Sequence, residues 1–134
     1  MASSLVLIAD DDCAVRRILA RSLQAEGYST LEAPDGLAAL DMLRAINVDL
    51  VIVDMAMPGL GGQALCRAIR GDDLTCGTRI MVVTGDPPAG GAVELMDLDA
   101  DDYMGKPFLV DEVLGRVRSL LHRAGSGSSP KAVS

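Results

Sequence analysis

The chain has 134 residues, 49% of them apolar, which suits one domain with one hydrophobic core. A formal net charge of -7 argues against a nucleic-acid surface and suits a basic partner or a metal cation, and three aromatics without tryptophan are poor equipment for stacking bases or sugars. No apolar run approaches a membrane span, and Leu5 to Ala9 is too short for a secretory signal, so the expected setting is the cytoplasm, away from membranes.

Leu5 to Ala9 is an apolar run that ends in three aspartates and reads as a strand buried on both faces. Val15, Ile18, Leu19 and Leu23 follow at helical spacing, with Asp12 as cap at the start and Gly27 at the end. Tyr28 to Ala33 reads as strand two. Asp35 caps a second helix carrying Leu37, Leu40 and Leu43. Asp49 to Val53 is strand three, followed by a loop with Pro58, Gly59, Gly61 and Gly62 and a third helix with Leu65 and Ile69. Arg79 to Val83 is strand four, ending on Thr84. A Pro- and Gly-rich stretch from Asp86 to Gly91 delays the fourth helix to about Ala92. Asp101 to Met104 is a short fifth strand, and a helix from about Leu109 to Arg123 closes the domain. Residues 124–134 have linker composition and are expected to be a flexible tail to a domain spanning residues 1–123.

Five βα units argue for a doubly wound α/β fold, a parallel sheet with helices on both faces. Right-handed crossovers restrict the topology, and the strand order 2-1-3-4-5 is expected here. That order brings Asp10, Asp11 and Asp12, then Asp54, Thr84 and Lys106, to one edge of the sheet. Carboxylates converging there repel one another, and a divalent cation relieves the repulsion. Oxygen-only ligands favour Mg²⁺ or Mn²⁺ over zinc. A lysine and a hydroxyl beside them can hold phosphoryl oxygens, so the set points to phosphoryl transfer with a carboxylate as nucleophile. Cys13, Cys66 and Cys76 are odd in number and lack CxxC spacing, which fits reduced thiols. Met55 and Met57 read as packing residues, and His122 as a helix-end charge.

The segments Leu7-Ile-Ala-Asp-Asp-Asp12, Val53-Asp-Met-Ala-Met-Pro-Gly-Leu-Gly-Gly62, Val83-Thr-Gly85 and Tyr103-Met-Gly-Lys-Pro-Phe108 resemble the signature segments of response-regulator receiver domains of two-component signal transduction. They match in order, spacing and place on the strands, over about residues 4–123. The resemblance implies a flavodoxin-like (βα)5 fold with a five-stranded sheet. It implies that Asp54 accepts a phosphoryl group from a histidine kinase or a histidine phosphotransfer protein. Asp11, Asp54 and the backbone carbonyl of Ala56 would hold Mg²⁺, Mn²⁺ being a substitute, with Asp10 acting through water. Lys106 would pair with Asp54 and then with a phosphoryl oxygen. Thr84 and Tyr103 would be the switch residues that alter the surface of helix four, strand five and helix five. Such a protein catalyses only its own phosphorylation and dephosphorylation, and acts on an output domain or a separate downstream protein. Lys106-Pro107 would be cis, as is usual in the family.

Some positions depart from the family pattern. Asp99 stands where many receivers have a glycine, and Ala56 and Asp86 occupy positions that tune phosphate lifetime. Asp101, Asp102, Arg116 and Arg118 resemble charges that pair across the dimer of receivers with winged-helix domains. Ala92 stands in place of a basic residue opposite Glu112, so a monomer or a weak phosphorylation-dependent homodimer is expected. Two alternatives compete with this assignment. One is a haloacid dehalogenase-like phosphatase using Asp10 and Asp12, for which Ala14 is a poor fit and Asp54 has no role. The other is a binding module independent of phosphorylation, against which the full set of Asp10, Asp11, Asp54, Thr84 and Lys106 argues.

Overall fold

The structure, a computed structural model, describes residues 3–85 and 99–126. The helix expected from Ala92 and most of the expected tail lie outside these residues. Each apolar run becomes a strand: β1 (Leu5–Ala9), β2 (Ser29–Ala33), β3 (Leu50–Asp54), β4 (Arg79–Thr84) and β5 (Asp102–Gly105). All pair in parallel in a single sheet of order β2-β1-β3-β4-β5, as expected. The strand ends differ from the sequence reading by one residue in an informative way. Asp54 and Thr84 are the last paired residues of β3 and β4, opposite Val83 and Gly105, and not loop residues. Ladder pairing therefore fixes the backbone beneath both side chains.

Four helices are seen among the described residues: α1 (Cys13–Ala25), α2 (Gly36–Ala45), α3 (Gly62–Arg70) and α4 (Val110–Ser126). Asp12 caps α1, its carboxylate accepting from the N–H groups of Ala14 (2.9 Å) and Val15 (3.3 Å). Such a cap contributes about 1 kcal/mol. Gly27 follows α1 with φ 98°, a left-handed conformation that suits glycine. Asp35 caps α2 by accepting from Ala38 N–H at 2.8 Å. The last helix runs on to Ser126, past the boundary expected at Arg123.

Alternate strand residues supply two apolar layers. On one face Leu7, Val51, Val53, Ile80 and Val82 meet Ala39 and Leu43 of α2 and Leu65, Cys66 and Ile69 of α3. On the other, Val6, Ile8, Ile52, Met81 and Val83 meet Leu19 and Leu23 of α1 and Val113, Val117 and Leu120 of α4. Each fully buried Val, Leu, Ile or Met side chain among these contributes roughly 1.5–3 kcal/mol. Among the described residues, no helix is long and apolar enough to cross a membrane.

The three cysteines are free: Cys66 is buried on α3, Cys13 is exposed at the start of α1, and Cys76 is exposed between α3 and β4. Burial pushes the Cys66 thiol up to about 11, against the opposing pull of Arg70. Arg70, at the end of α3, donates to the carbonyls of Cys76 (2.8 Å), Thr78 (2.6 Å) and Asp99 (2.9 Å) and pairs with Asp101 at 3.0 Å. Asp99 has φ 55°, the left-handed conformation that its alignment with a family glycine suggests, and Lys106-Pro107 is cis as expected.

Candidate functional site

The crevice lies where β1 and β3 end side by side. Ala9 pairs with Val53, so Asp10 and Asp54 stand abreast, 4% and 3% exposed. Asp11, the next residue, is exposed. One carboxylate oxygen from each of Asp10, Asp11 and Asp54 lies within 4.8 Å of the others. The two buried carboxylates are braced by their own turns. Asp12 N–H donates to Asp10 Oδ1 at 2.9 Å, and Ala56 N–H donates to Asp54 Oδ1 at 3.2 Å.

Lys106 follows β5, its N–H donating to the Thr84 carbonyl at 2.8 Å. Its Nζ reaches between the carboxylates, 3.4 Å from Asp10 Oδ2 and 3.5 Å from Asp54 Oδ2. Burial raises the Asp10 pKa, and the Asp54 charge raises it further; the Asp12 N–H and Lys106 pull it back only in part. For Lys106, burial works to lower the pKa, but the attraction of Asp10 and Asp54 exceeds it and the net shift is upward. One ammonium facing three carboxylates leaves negative charge uncompensated. An oxygen-only, tightly grouped donor set of this kind fits Mg²⁺ in preference to zinc.

Thr84 is buried at the end of β4, one residue beyond the partner of Asp54. Tyr103 is half-buried on β5, opposite Val82, and packs against the apolar layer beneath α2 and α3. Register puts Thr84 and Tyr103 on the same face of the sheet. Burial raises the Tyr103 pKa, opposed by a hydrogen bond with the Ala100 backbone. Asp12, the third aspartate of the run, serves α1 as its cap.

One residue beside the site is not apparent from sequence motifs. Arg16 of α1 donates from Nη1 to the Asp10 carbonyl at 2.7 Å and from Nε to Glu32 Oε1 of β2 at 3.3 Å. A cation beside Val15 on the partly buried side of α1 is the only sequence signal for it.

This arrangement of fold and crevice is that of a receiver. The sequence profile of the response regulator receiver domain matches residues 6–118, and the chain belongs to that family, the phosphorylation-dependent switches of two-component signalling. It is 42% identical over 127 residues to response regulator MprA of Mycobacterium sp. strain KMS, covering 93% of this chain and 54% of that one. It is 44% identical over 120 residues to response regulator MprA of Mycobacterium bovis strain BCG / Pasteur 1173P2, covering 88% and 50%. The chain thus spans about half the length of the curated relatives it matches. Among solved structures, the receiver domain of Francisella response regulator 1452 superposes with a TM-score of 0.84 at 30% identity, covering 91% of this chain and 99% of that one. A putative response regulator from Chloroflexus aurantiacus J-10-fl gives a TM-score of 0.83 at 31% identity, covering 90% and 99%. Family membership sets the phosphatase aside, and none of these likenesses supports the phosphorylation-independent module.

Proposed function

We propose that Asp54 is the phosphoacceptor and that the chain catalyses its own phosphorylation and dephosphorylation in the cytoplasm. The observation that carries this is Lys106 Nζ poised between two buried carboxylates, with Asp11 at their side. The donor is a histidine kinase or a histidine phosphotransfer protein. An Asp54 oxygen attacks phosphorus, the phosphorus–nitrogen bond of the phosphohistidine breaks, and the imidazole leaves with the electron pair. Lys106 is already within reach of Asp54 and can follow the charge onto a phosphoryl oxygen. Asp11, Asp54 and the Ala56 carbonyl would hold Mg²⁺, with Asp10 acting through water; Mn²⁺ would substitute. Bound there, the cation supplies charge neutralisation for the developing oxyanions.

Thr84 turns its hydroxyl toward the phosphoryl group once that group is in place. Tyr103, on the same face of the sheet, moves into the vacated space and remodels the surface around β5 and α4. That surface is read by an output domain or a downstream protein. Acetyl phosphate with Mg²⁺ tests the assignment. Intact mass should rise by one phosphate, and Asp54→Asn and Asp54→Ala should remain unlabelled. Labelling of Asp54→Asn at the parent level would move the acceptor elsewhere.

A further inference from the structure

We infer that Arg16 is a positioning residue for the Mg²⁺ site, acting through the peptide that joins Asp10 to Asp11. This rests on the assignment of Asp10, Asp11 and Asp54 proposed above. The Asp10 carbonyl belongs to that peptide, and Arg16 Nη1 donates to it at 2.7 Å, a short charge-assisted bond. Rotating this peptide would swing Asp11, the exposed member of the trio, away from Asp54. The Asp12 N–H bond closes a turn across the same peptide, and Arg16 adds the side-chain bond to the carbonyl of Asp10. The Asp10 N–H donates to the Ala33 carbonyl at 3.2 Å, and its Oδ1 accepts from Asp12 N–H.

Arg16 is itself held. Its side chain is only 14% exposed, and Nε lies 3.3 Å from Glu32 Oε1 on the neighbouring strand. The second Glu32 oxygen is 3.9 Å from Arg17 Nε, and Arg17 is 62% exposed. Glu32 thus balances the guanidinium. Arg16 is directed at a carbonyl, not at the carboxylates, so it orients the cation's ligands without replacing the cation. Partners that orient metal ligands in this way typically change affinity by about 10–100-fold when lost.

The test is an NMR-monitored Mg²⁺ titration of the folded protein, set beside thermal melting, for the parent, Arg16→Ala, Arg16→Lys, Glu32→Gln and Asp11→Ala. Arg16→Ala should bind Mg²⁺ about tenfold more weakly. Arg16→Lys should recover part of that loss, since an ammonium can still reach the carbonyl but lacks the planar fork that also holds Glu32. A lowered melting temperature with unchanged Mg²⁺ affinity would make Arg16 a mere strut between α1 and β2 and overturn the inference. Should Arg16→Ala not fold, Arg16→Lys and Glu32→Gln carry the test, and parent-like affinity in both overturns it. Weakened binding in Asp11→Ala alone sinks the role of Arg16 and leaves the site intact. Parent-like binding in Asp11→Ala removes the site itself, and the role of Arg16 with it.

Discussion

Arg116 Nη1 lies 2.9 Å from the Asp102 carboxylate of its own chain and donates to the Tyr103 carbonyl at 2.8 Å. Its Nη2 also lies 3.4 Å from Glu112, while Arg118 pairs with Glu26 at 3.0 Å and Asp101 with Arg70 at 3.0 Å. The four charges that the sequence offers for a twofold interface are therefore all engaged within one chain. Exposed pairs are worth only about 0–1 kcal/mol, yet a dimer must exchange them at no net gain. Sedimentation should show a monomer without phosphate and at most weak association with beryllofluoride. A tight dimer without phosphate would contradict this, and association unaffected by Arg116→Glu would place the contact on another face.

Mg²⁺ should bind with a dissociation constant on the order of 10⁻⁴ to 10⁻³ M, because few protein ligands meet it and it retains several waters. Asp11→Ala should lose most of this affinity in calorimetric or NMR titration. A preference for zinc would count against an oxygen-only site.

In the metal-free domain, the crevice contributes to the pH dependence of stability through two shifted groups. Asp10 has a raised folded pKa, so its ionised form opposes folding above that pKa, and the opposition fades as pH falls through it. Asp10→Asn should therefore melt above the parent near neutral pH without Mg²⁺, with the difference shrinking on acidification. Lys106, also raised, contributes stability that is fully present below its unfolded pKa and is lost only as pH rises through the folded value. Its contribution is thus present throughout the neutral range. An Asp10→Asn protein that melts below the parent at every pH would refute a net cost of ionised Asp10, set first by its burial and then by the Asp54 charge.

Lys106→Ala and Thr84→Ala should fold, since neither belongs to the apolar layers. Phosphorylation, or beryllofluoride, should then produce smaller amide shifts in β5 and α4 than in the parent. Parent-sized shifts would take Thr84 out of the switch.

Two glycines should respond in opposite directions to alanine. A Cβ on Gly62 would stand 2.6 Å from the Asp54 carbonyl and 2.7 Å from Met55 Cα, so the backbone at Asp54 and Met55 must shift. Gly62→Ala should cost about 1–3 kcal/mol and slow labelling. A Cβ on Gly115, inside α4, meets nothing within 4 Å, so Gly115→Ala should gain about 0.5–1 kcal/mol. Calorimetry on both variants checks the pair.

The crevice is legible in the sequence because strand ends and caps leave local signatures. Apolar runs stop at Asp10, Asp54 and Thr84, and the βα alternation signals a parallel sheet, whose strand order crossover handedness restricts but does not fix. Arg16 and Arg70 are not legible in this way. Both act on main-chain carbonyls distant in sequence or hidden by the fold, and a carbonyl is present at every residue whatever its type. The pairing of Arg116 is hidden for a related reason. A charge pattern shows which partners are available but not whether they lie within one chain or across two.

The thiols give the molecule two natural handles at opposite poles. Cys13 opens α1 beside the acidic crevice, whereas Cys76 lies just before β4, at the far end of the sheet; both are exposed. Cys66, buried and with its thiol pushed up to about 11, should stay silent toward alkylating probes at neutral pH. A fluorophore on Cys13 would sense phosphoryl chemistry directly, and one on Cys76 would report whether any of that change crosses the domain, without an engineered cysteine.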